Sequence, residues 1–133
     1  MRALRVESNL PPDLEALIQR VIGALIAVHS DLGPGMSERV YAAAAQMELA
    51  ARGIAFESEK PFPVRYRGRF LCHQRIDLFI EGLMVVEIKS VEALHPAHRA
   101  QVVSYLRLTG ARAGLLVNFN VPLLKHGIRR IVL

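Results

Sequence analysis

The sequence predicts a single α/β domain in which helices cover a mixed β-sheet. Apolar residues follow helical spacing in the first third of the chain, and short β-rich segments separated by glycine-containing turns fill the middle. Helix and strand signals then alternate toward the C-terminus. The 133 residues, 52% of them hydrophobic, suffice for one core and exclude global disorder. We therefore expect one domain over residues 1–133, with a loose N-terminal lead over about residues 1–9.

Two helices are predicted in the N-terminal part. The first covers residues 13–30, where apolar residues recur every three or four positions. The second covers residues 37–52 and ends at Gly53, a common helix stop. Its core-facing stripe is expected at four positions with helical spacing: Val40, Ala44, Met47 and Ala51.

Extended segments dominate the rest of the chain. Four are predicted in succession and two more near the C-terminus, with a third helix between the two groups: residues 54–59, 62–66, 70–80, 83–89, 95–108 (helix), 113–118 and 128–133. Arg67-Gly68 and Glu81-Gly82 are turn signals between strands, and Pro61 and Pro63 place their segment at a sheet edge. The order α-α-β-β-β-β-α-β-β predicts an α/β sandwich with a mixed sheet.

Charge and cysteine content narrow the class of function. The chain has 17 Lys and Arg against 12 Asp and Glu, a net charge of +5, which favours a polyanionic partner. The single cysteine, Cys72, excludes an internal disulfide framework and is expected as a small core residue. The longest uncharged apolar stretch, residues 21–30, is too short to cross a bilayer, and no signal-peptide pattern is present. We expect a cytoplasmic protein without a membrane partner.

Two acidic residues interrupt segments that otherwise read as buried strands. Glu87 shares a strand face with Lys89, and Asp77 lies in the preceding strand. A buried charge costs several kcal/mol unless it is paired or bound to an ion. Two carboxylates on neighbouring strands can hold Mg²⁺ or Mn²⁺ through oxygen ligands, and Lys89 can orient the attacking hydroxide. The open alternative is ion pairing of Glu87 with Lys89, and of Asp77 with Arg75 or Arg69.

The metal-binding interpretation requires a particular loop between these strands. A two-residue turn at residues 81–82 would set Asp77 opposite Val86, on the other sheet face from Glu87. A three-residue loop over residues 81–83, or a bulge that shifts the phase by one, sets Asp77 opposite Glu87 instead. We therefore predict the three-residue loop or the bulge.

The spacing of the acids and the lysine resembles the signature of the PD-(D/E)XK nuclease superfamily, an acid on one strand and Glu/Asp-x-Lys on the next. The matching residues are Asp77, Glu87 and Lys89, with Ile76 in place of the signature proline. The resemblance implies a restriction-endonuclease-like three-layer sandwich, with a mixed central sheet flanked by helices. It also implies a site for Mg²⁺ or Mn²⁺, to which we expect the backbone carbonyl of Ile88 to contribute.

A second resemblance concerns Gly35, Glu38 and Tyr41, which match the GxxExxY motif of a family of small bacterial proteins in that superfamily. The likeness covers about residues 14–132. The spacing i, i+3, i+6 predicts one helix face, on which Gly35 allows close backbone approach. An acid on this helix often joins the metal site in the superfamily, so Glu38 is a candidate third carboxylate. The open alternative is that Ser37 caps the helix and Glu38 merely suits its first turn.

Gln101 and Tyr105 lie one helical turn apart in the third predicted helix. They resemble the Q-x-x-x-Y motif that follows Glu-x-Lys in the RecB-like branch of these nucleases. The resemblance implies a position beside the active site, in contact with water on the metal or with nucleic acid. Taken alone, this pattern is usually a surface pair or a satisfied buried pair, and its position 12 residues after Lys89 is what favours the site.

Basic residues crowd the predicted hairpin and could contact phosphates, although a solvated hairpin is an equal alternative: Lys60, Arg65, Arg67 and Arg69.

Together these observations predict a Mg²⁺-dependent nuclease-like protein that hydrolyses DNA phosphodiesters, with DNA favoured over RNA. The expected catalytic set is Asp77, Glu87, Lys89, Gln101 and Tyr105. One small domain presents one site, so cutting both strands of a duplex would need two subunits, which is compatible with a homodimer. The alternative is a catalytically silent nucleic-acid-binding or protein-interaction module on the same fold.

Overall fold

The computed structural model describes residues 9–133, so the predicted N-terminal lead lies, apart from Asn9, outside the described residues. The elements in chain order are α1 (Pro12–Leu32), α2 (Glu38–Ala51), β1 (Phe56–Tyr66), β2 (Arg69–Ile80), β3 (Met84–Lys89), α3 (Pro96–Thr109), β4 (Ala113–Asn118), a 3₁₀ turn (Leu124–His126) and β5 (Ile128–Val132). Within the described residues, no helix combines the length and apolar character that a membrane crossing needs.

The five strands form one mixed sheet in the order β1-β2-β3-β4-β5. Neighbouring strands are antiparallel except β3 and β4, which are parallel and are connected by α3. α1 and α2 pack on one face of the sheet, and α3 packs on the other face. Each face of the sheet has its own cluster of buried apolar residues. The predicted α/β sandwich with a mixed central sheet and helices on both faces is therefore confirmed.

The core-facing stripe of α2 differs from the prediction by about one position. The buried residues are Tyr41, Ala45 and Leu49, whereas Val40 is 40% and Met47 75% exposed. Moving a stripe by one residue turns a helix by about 100°. Apolar counting selected the wrong face because alanines occupy both sides of this helix.

Tyr41 fixes the orientation of α2. Its ring stacks on Phe119 with 4.5 Å between the centroids, and its hydroxyl donates to the carbonyl of Gly33 and accepts from Met36 N–H. The side chain is fully buried. The aromatic contact and the two hydrogen bonds hold the turn before α2 against the core.

Replacing Tyr41 by Phe is expected to destabilise the protein by about 1–2 kcal/mol, because two partly buried backbone groups lose their partner. Urea unfolding measures this change. The matched control is Tyr66→Phe, since Tyr66 is 65% exposed and its substitution should leave stability unchanged. Equal effects of the two substitutions would contradict the role given to the Tyr41 hydroxyl.

Two of the predicted strands are one continuous strand. Residues 54–59 and 62–66 merge into β1, which lies at the edge of the sheet as its two prolines predict. β2 pairs with β1 over nearly its whole length, but with β3 only over residues 78–80. Residues 60–76 therefore form a two-stranded extension beyond β3, here called the hairpin arm. Cys72 lies on this arm and is exposed, so its predicted core position is wrong.

Candidate active site where two strands separate

The loop between β2 and β3 has three residues, as predicted. Leu83 N–H donates to Ile80 carbonyl at 2.8 Å, and Glu81 and Gly82 adopt positive φ angles of 51° and 68°. The resulting register pairs Leu78 with Val86. Continued by one residue, this register sets residue 77 opposite residue 87, the phase that a shared site requires.

The backbone ladder ends at this point and two carboxylates take over its hydrogen bonds. The Asp77 carboxylate accepts from Ile88 N–H at 2.8 Å, and the Glu87 carboxylate lies 3.4 Å from Asp77 N–H, which donates to it. Each acid thus contacts the backbone of the opposite strand. These two hydrogen bonds bring the acidic side chains together at the position where β2 separates from β3 to form the hairpin arm.

Glu87 is a buried acid, only 3% exposed. Its pKa is raised from 4.5 to about 9, chiefly by burial and then by the charge of Asp77 and a side-chain hydrogen bond with it. The charge of Lys89 acts in the opposite direction but is outweighed. Without a cation, the fold therefore favours the protonated form of Glu87 at neutral pH.

The ion-pair alternative is not what the structure shows. Among residues 9–133 the side-chain ion pairs are Arg52–Glu48, Lys60–Glu57 and Arg130–Glu15, and none includes Asp77 or Glu87. Lys89 is half-buried on the strand that carries Glu87 and is near enough to influence its pKa. The lysine therefore lies near the acids but forms no salt bridge with either of them.

Asn118 fixes the segment that follows Lys89, a role that sequence reasoning missed. It is 3% exposed and pairs with Lys89 in the β3–β4 register. Its side chain accepts from Val91 N–H at 3.1 Å and donates to Val91 carbonyl at 2.9 Å. The available signal was a lone amide at the end of a fully apolar strand, which is costly to bury unless it is hydrogen-bonded.

A cavity of about 410 Å³ lies on the α2 side of the carboxylate pair and is lined by Glu38, Asp77 and Ile88, among others. Glu38 is thus near the predicted site. No group of three or more His, Cys, Asp and Glu side chains among the described residues is close enough to share an ion. The Ser37 hydroxyl also accepts from Val40 N–H, so the capping alternative for this helix start holds as well.

Gly35 does not lie on the helix face predicted for the GxxExxY pattern. α2 begins at Glu38, and Gly35 precedes its cap with a φ of 99°. A Cβ atom added at Gly35 would meet nothing within 4 Å, so close backbone approach is not its role. The glycine is required by the left-handed turn instead.

Glu59 is an acid at the site that no sequence pattern indicated. It lies on β1 between residues that pair with β2 on either side of Asp77, and it lines the same cavity. Its φ of 52° is unusual for a residue with a side chain. Such angles occur mainly in turns and at strained positions, which are frequent in functional sites. Nothing in the local sequence distinguishes Glu59 from neighbouring exposed residues.

Tyr105 lies on α3, near enough to the carboxylates to be influenced by their charges, and Gln101 precedes it by one helical turn. Tyr105 is buried, and burial followed by the charges of Glu87 and Asp77 raises its pKa to about 12. The Gln101 side chain acts in the opposite direction and lowers the pKa of the tyrosine, but is outweighed. The tyrosine therefore keeps its proton at neutral pH and presents a hydroxyl beside the acidic pair.

The four predicted basic residues lie on or beside the hairpin arm and differ in their contacts. Lys60 is paired with Glu57 at 2.8 Å and lies 5.6 Å from the Phe62 ring centre. The other three are exposed around the Arg67-Gly68 turn: Arg65, Arg67 and Arg69.

A mixed sheet in which an aspartate on one strand meets a Glu-x-Lys strand where the two strands separate is the arrangement of a PD-(D/E)XK nuclease fold. The chain matches the family model of the PD-(D/E)XK nuclease superfamily over residues 15–131, and it belongs to that superfamily. No curated protein matches the chain. The narrower likeness to the GxxExxY proteins stays a prediction.

Proposed function

We propose that this protein is a Mg²⁺- or Mn²⁺-dependent nuclease that hydrolyses DNA phosphodiester bonds. The observation that carries the proposal is the joined pair of Asp77 and Glu87, one of them almost completely buried, on the strands of a nuclease fold. Two acids held together in an apolar sheet are unfavourable for a structural element alone. They are useful where a cation offsets their charge.

The donor set fits a hard divalent cation. Asp77 and Glu87 supply carboxylate oxygens, and the Ile88 carbonyl points to the same side of its strand as the N–H that contacts Asp77. Oxygen-only sets completed by water are typical of Mg²⁺. Glu38 is proposed as a further ligand through water, because it lines the same cavity but is not close enough to share the ion directly with the other two acids. Such an ion would supply Lewis acidity and a more acidic water.

The remaining side chains have distinct proposed roles. Lys89 places a positive charge beside the acids, where it can orient the attacking water and stabilise the negative charge that grows on the phosphate. Tyr105 stays protonated and can donate a hydrogen bond to the substrate, and Gln101 holds its hydroxyl. Asn118 keeps the Lys89 strand end in position.

The exposed arginines of the hairpin arm are proposed to contact phosphates. Removing Arg65, Arg67 and Arg69 together is expected to reduce the slope of log affinity against log salt by about two units, because each phosphate contact releases condensed counterions. Fluorescence anisotropy at several salt concentrations measures this slope. The control is Arg20→Ala on α1, which should leave the slope unchanged. An unchanged slope in the triple variant would remove the arm from the interface.

Cleavage of a labelled substrate panel tests the proposed function. The panel contains single-stranded, duplex and branched DNA with matching RNA strands, incubated with Mg²⁺, Mn²⁺ or EDTA. Wild type should cleave DNA only with a metal, and Asp77→Asn should be inactive while folding normally by circular dichroism. Binding without cleavage under every condition would instead support the silent nucleic-acid-binding module. Cleavage of both duplex strands would make a homodimer the expected working form.

A further inference from the structure

A second cavity, of about 510 Å³, lies between α3 and the hairpin arm and is here called the α3 groove. Its arm wall includes Val64 and Gln74, and its helix wall includes Gln101, Ser104 and Arg107. Tyr105 also lines it. The groove is therefore distinct from the cavity beside Glu38, which opens toward α2.

Tyr105 relates the α3 groove to the acidic pair. It lines the groove, and the charges of Glu87 and Asp77 are near enough to raise the pKa of its hydroxyl. Gln74 lies three residues before Asp77 on β2, about 10 Å along an extended strand. The groove thus leads away from the carboxylates along the hairpin arm.

The lining of the α3 groove suits nucleobases and a phosphate rather than a charged small molecule alone. The amides of Gln74 and Gln101 and the hydroxyl of Ser104 offer donors and acceptors for base edges. Val64 adds apolar surface, and Arg107 is exposed and can meet a backbone phosphate.

An aromatic residue lies at the tip of the hairpin arm, beyond the groove lining. Tyr66 is 65% exposed and follows Val64 by two residues, past the register shift between Val64 and Arg65. Arg69 pairs with Tyr66 across the hairpin. An exposed ring beside arginines is the arrangement on which unpaired bases stack.

We propose that the α3 groove receives a single-stranded DNA segment and leads it to the catalytic carboxylates. The proposal rests on the nuclease function above and specifies its substrate. In a duplex the base faces are covered by stacking and the Watson–Crick edges by pairing, so a groove that encloses bases between two walls requires an unpaired strand. One groove beside one site suits cleavage of one strand, so a single subunit can act.

Binding to labelled DNA in Ca²⁺ tests this proposal. The probes are an oligothymidylate and a duplex of the same length, about 20 nucleotides, enough to exceed one binding groove. Wild type should bind the single strand at least about tenfold more tightly than the duplex. Ser104→Glu and Arg107→Glu should each weaken single-strand binding by about fivefold or more through phosphate repulsion. The control is Arg20→Glu on α1, with the same charge change as Arg107→Glu, and it should have less than about a twofold effect.

The outcomes separate this proposal from the nuclease function. Three results would overturn the proposal that the α3 groove binds single-stranded DNA. These are equal affinity for both probes, binding of neither probe, or equal losses of affinity in Arg107→Glu and Arg20→Glu. Metal-dependent cleavage of the duplex but not of the single strand would also overturn it, while leaving the nuclease function intact. Selective single-strand binding that depends on Ser104 and Arg107, without cleavage in any metal, would support the groove and reject the nuclease function. Circular dichroism confirms that each variant folds.

Discussion

Glu87→Gln is expected to raise the melting temperature of the metal-free protein at pH 7 by roughly 5 °C or more. Glutamine has nearly the shape of a protonated glutamate and carries no charge to bury. Because the fold raises the pKa of Glu87 to about 9, wild type must bind a proton on folding at neutral pH. Scanning calorimetry in EDTA measures the difference.

The pH dependence of the free energy of unfolding follows from the same raised pKa of Glu87. The folded state binds the Glu87 proton more tightly than the unfolded state, so this contribution is fully favourable below pH 4.5 and is lost as pH rises toward about 9. Wild type should therefore lose stability across that window, and Glu87→Gln should show a flatter profile. The matched control is Glu92→Gln, since Glu92 is exposed. Parallel pH profiles for wild type and Glu87→Gln would show that Glu87 ionises freely in the fold.

Lys89→Ala is expected to lower the rate of metal-dependent DNA cleavage by about 10²–10³-fold. The substitution removes the positive charge beside the acids but neither carboxylate. The melting-temperature increase caused by Mn²⁺ should therefore persist in Lys89→Ala. Lys89→Arg should restore only part of the rate, because a planar guanidinium places its charge differently from an ammonium.

Two controls separate a chemical role of Lys89 from a structural one. Arg99→Ala removes an exposed charge from α3 and should leave the rate unchanged. Single-turnover measurements with enzyme in excess separate cleavage from binding. A rate loss that disappears at saturating enzyme would show that Lys89 acts in DNA binding and not in the cleavage step.

The sequence predicted that Asp77 and Glu87 meet because the signals for this contact are local. Asp77 and Glu87 are conspicuous as acids in apolar strands, and the glycine-containing turn allows a loop of the required length. Strand alternation then decides which side chains can meet, and the three-residue loop set the expected phase. The position of Asp77 opposite Glu87 can therefore be predicted from the residues of the two strands and the loop between them.

The features that were missed depend on contacts distant in sequence. The face of α2 is selected by Tyr41 against Phe119, and alanines on both sides of the helix conceal it. The exposure of Cys72 follows from the length by which β1 and β2 extend beyond β3. Glu59 approaches the site through register and an unusual φ, neither of which has a sequence signal.

The central claim is that Asp77 and Glu87 together bind a divalent cation, and titration with Mn²⁺ by isothermal calorimetry tests it most directly. Wild type should bind Mn²⁺ at a site that Mg²⁺ competes for, with proton release that grows as pH falls below 9, because binding displaces the Glu87 proton. Asp77→Asn and Glu87→Gln should each abolish that binding, whereas Glu92→Gln should retain it. Mn²⁺ binding of equal affinity in wild type and Asp77→Asn would contradict the account.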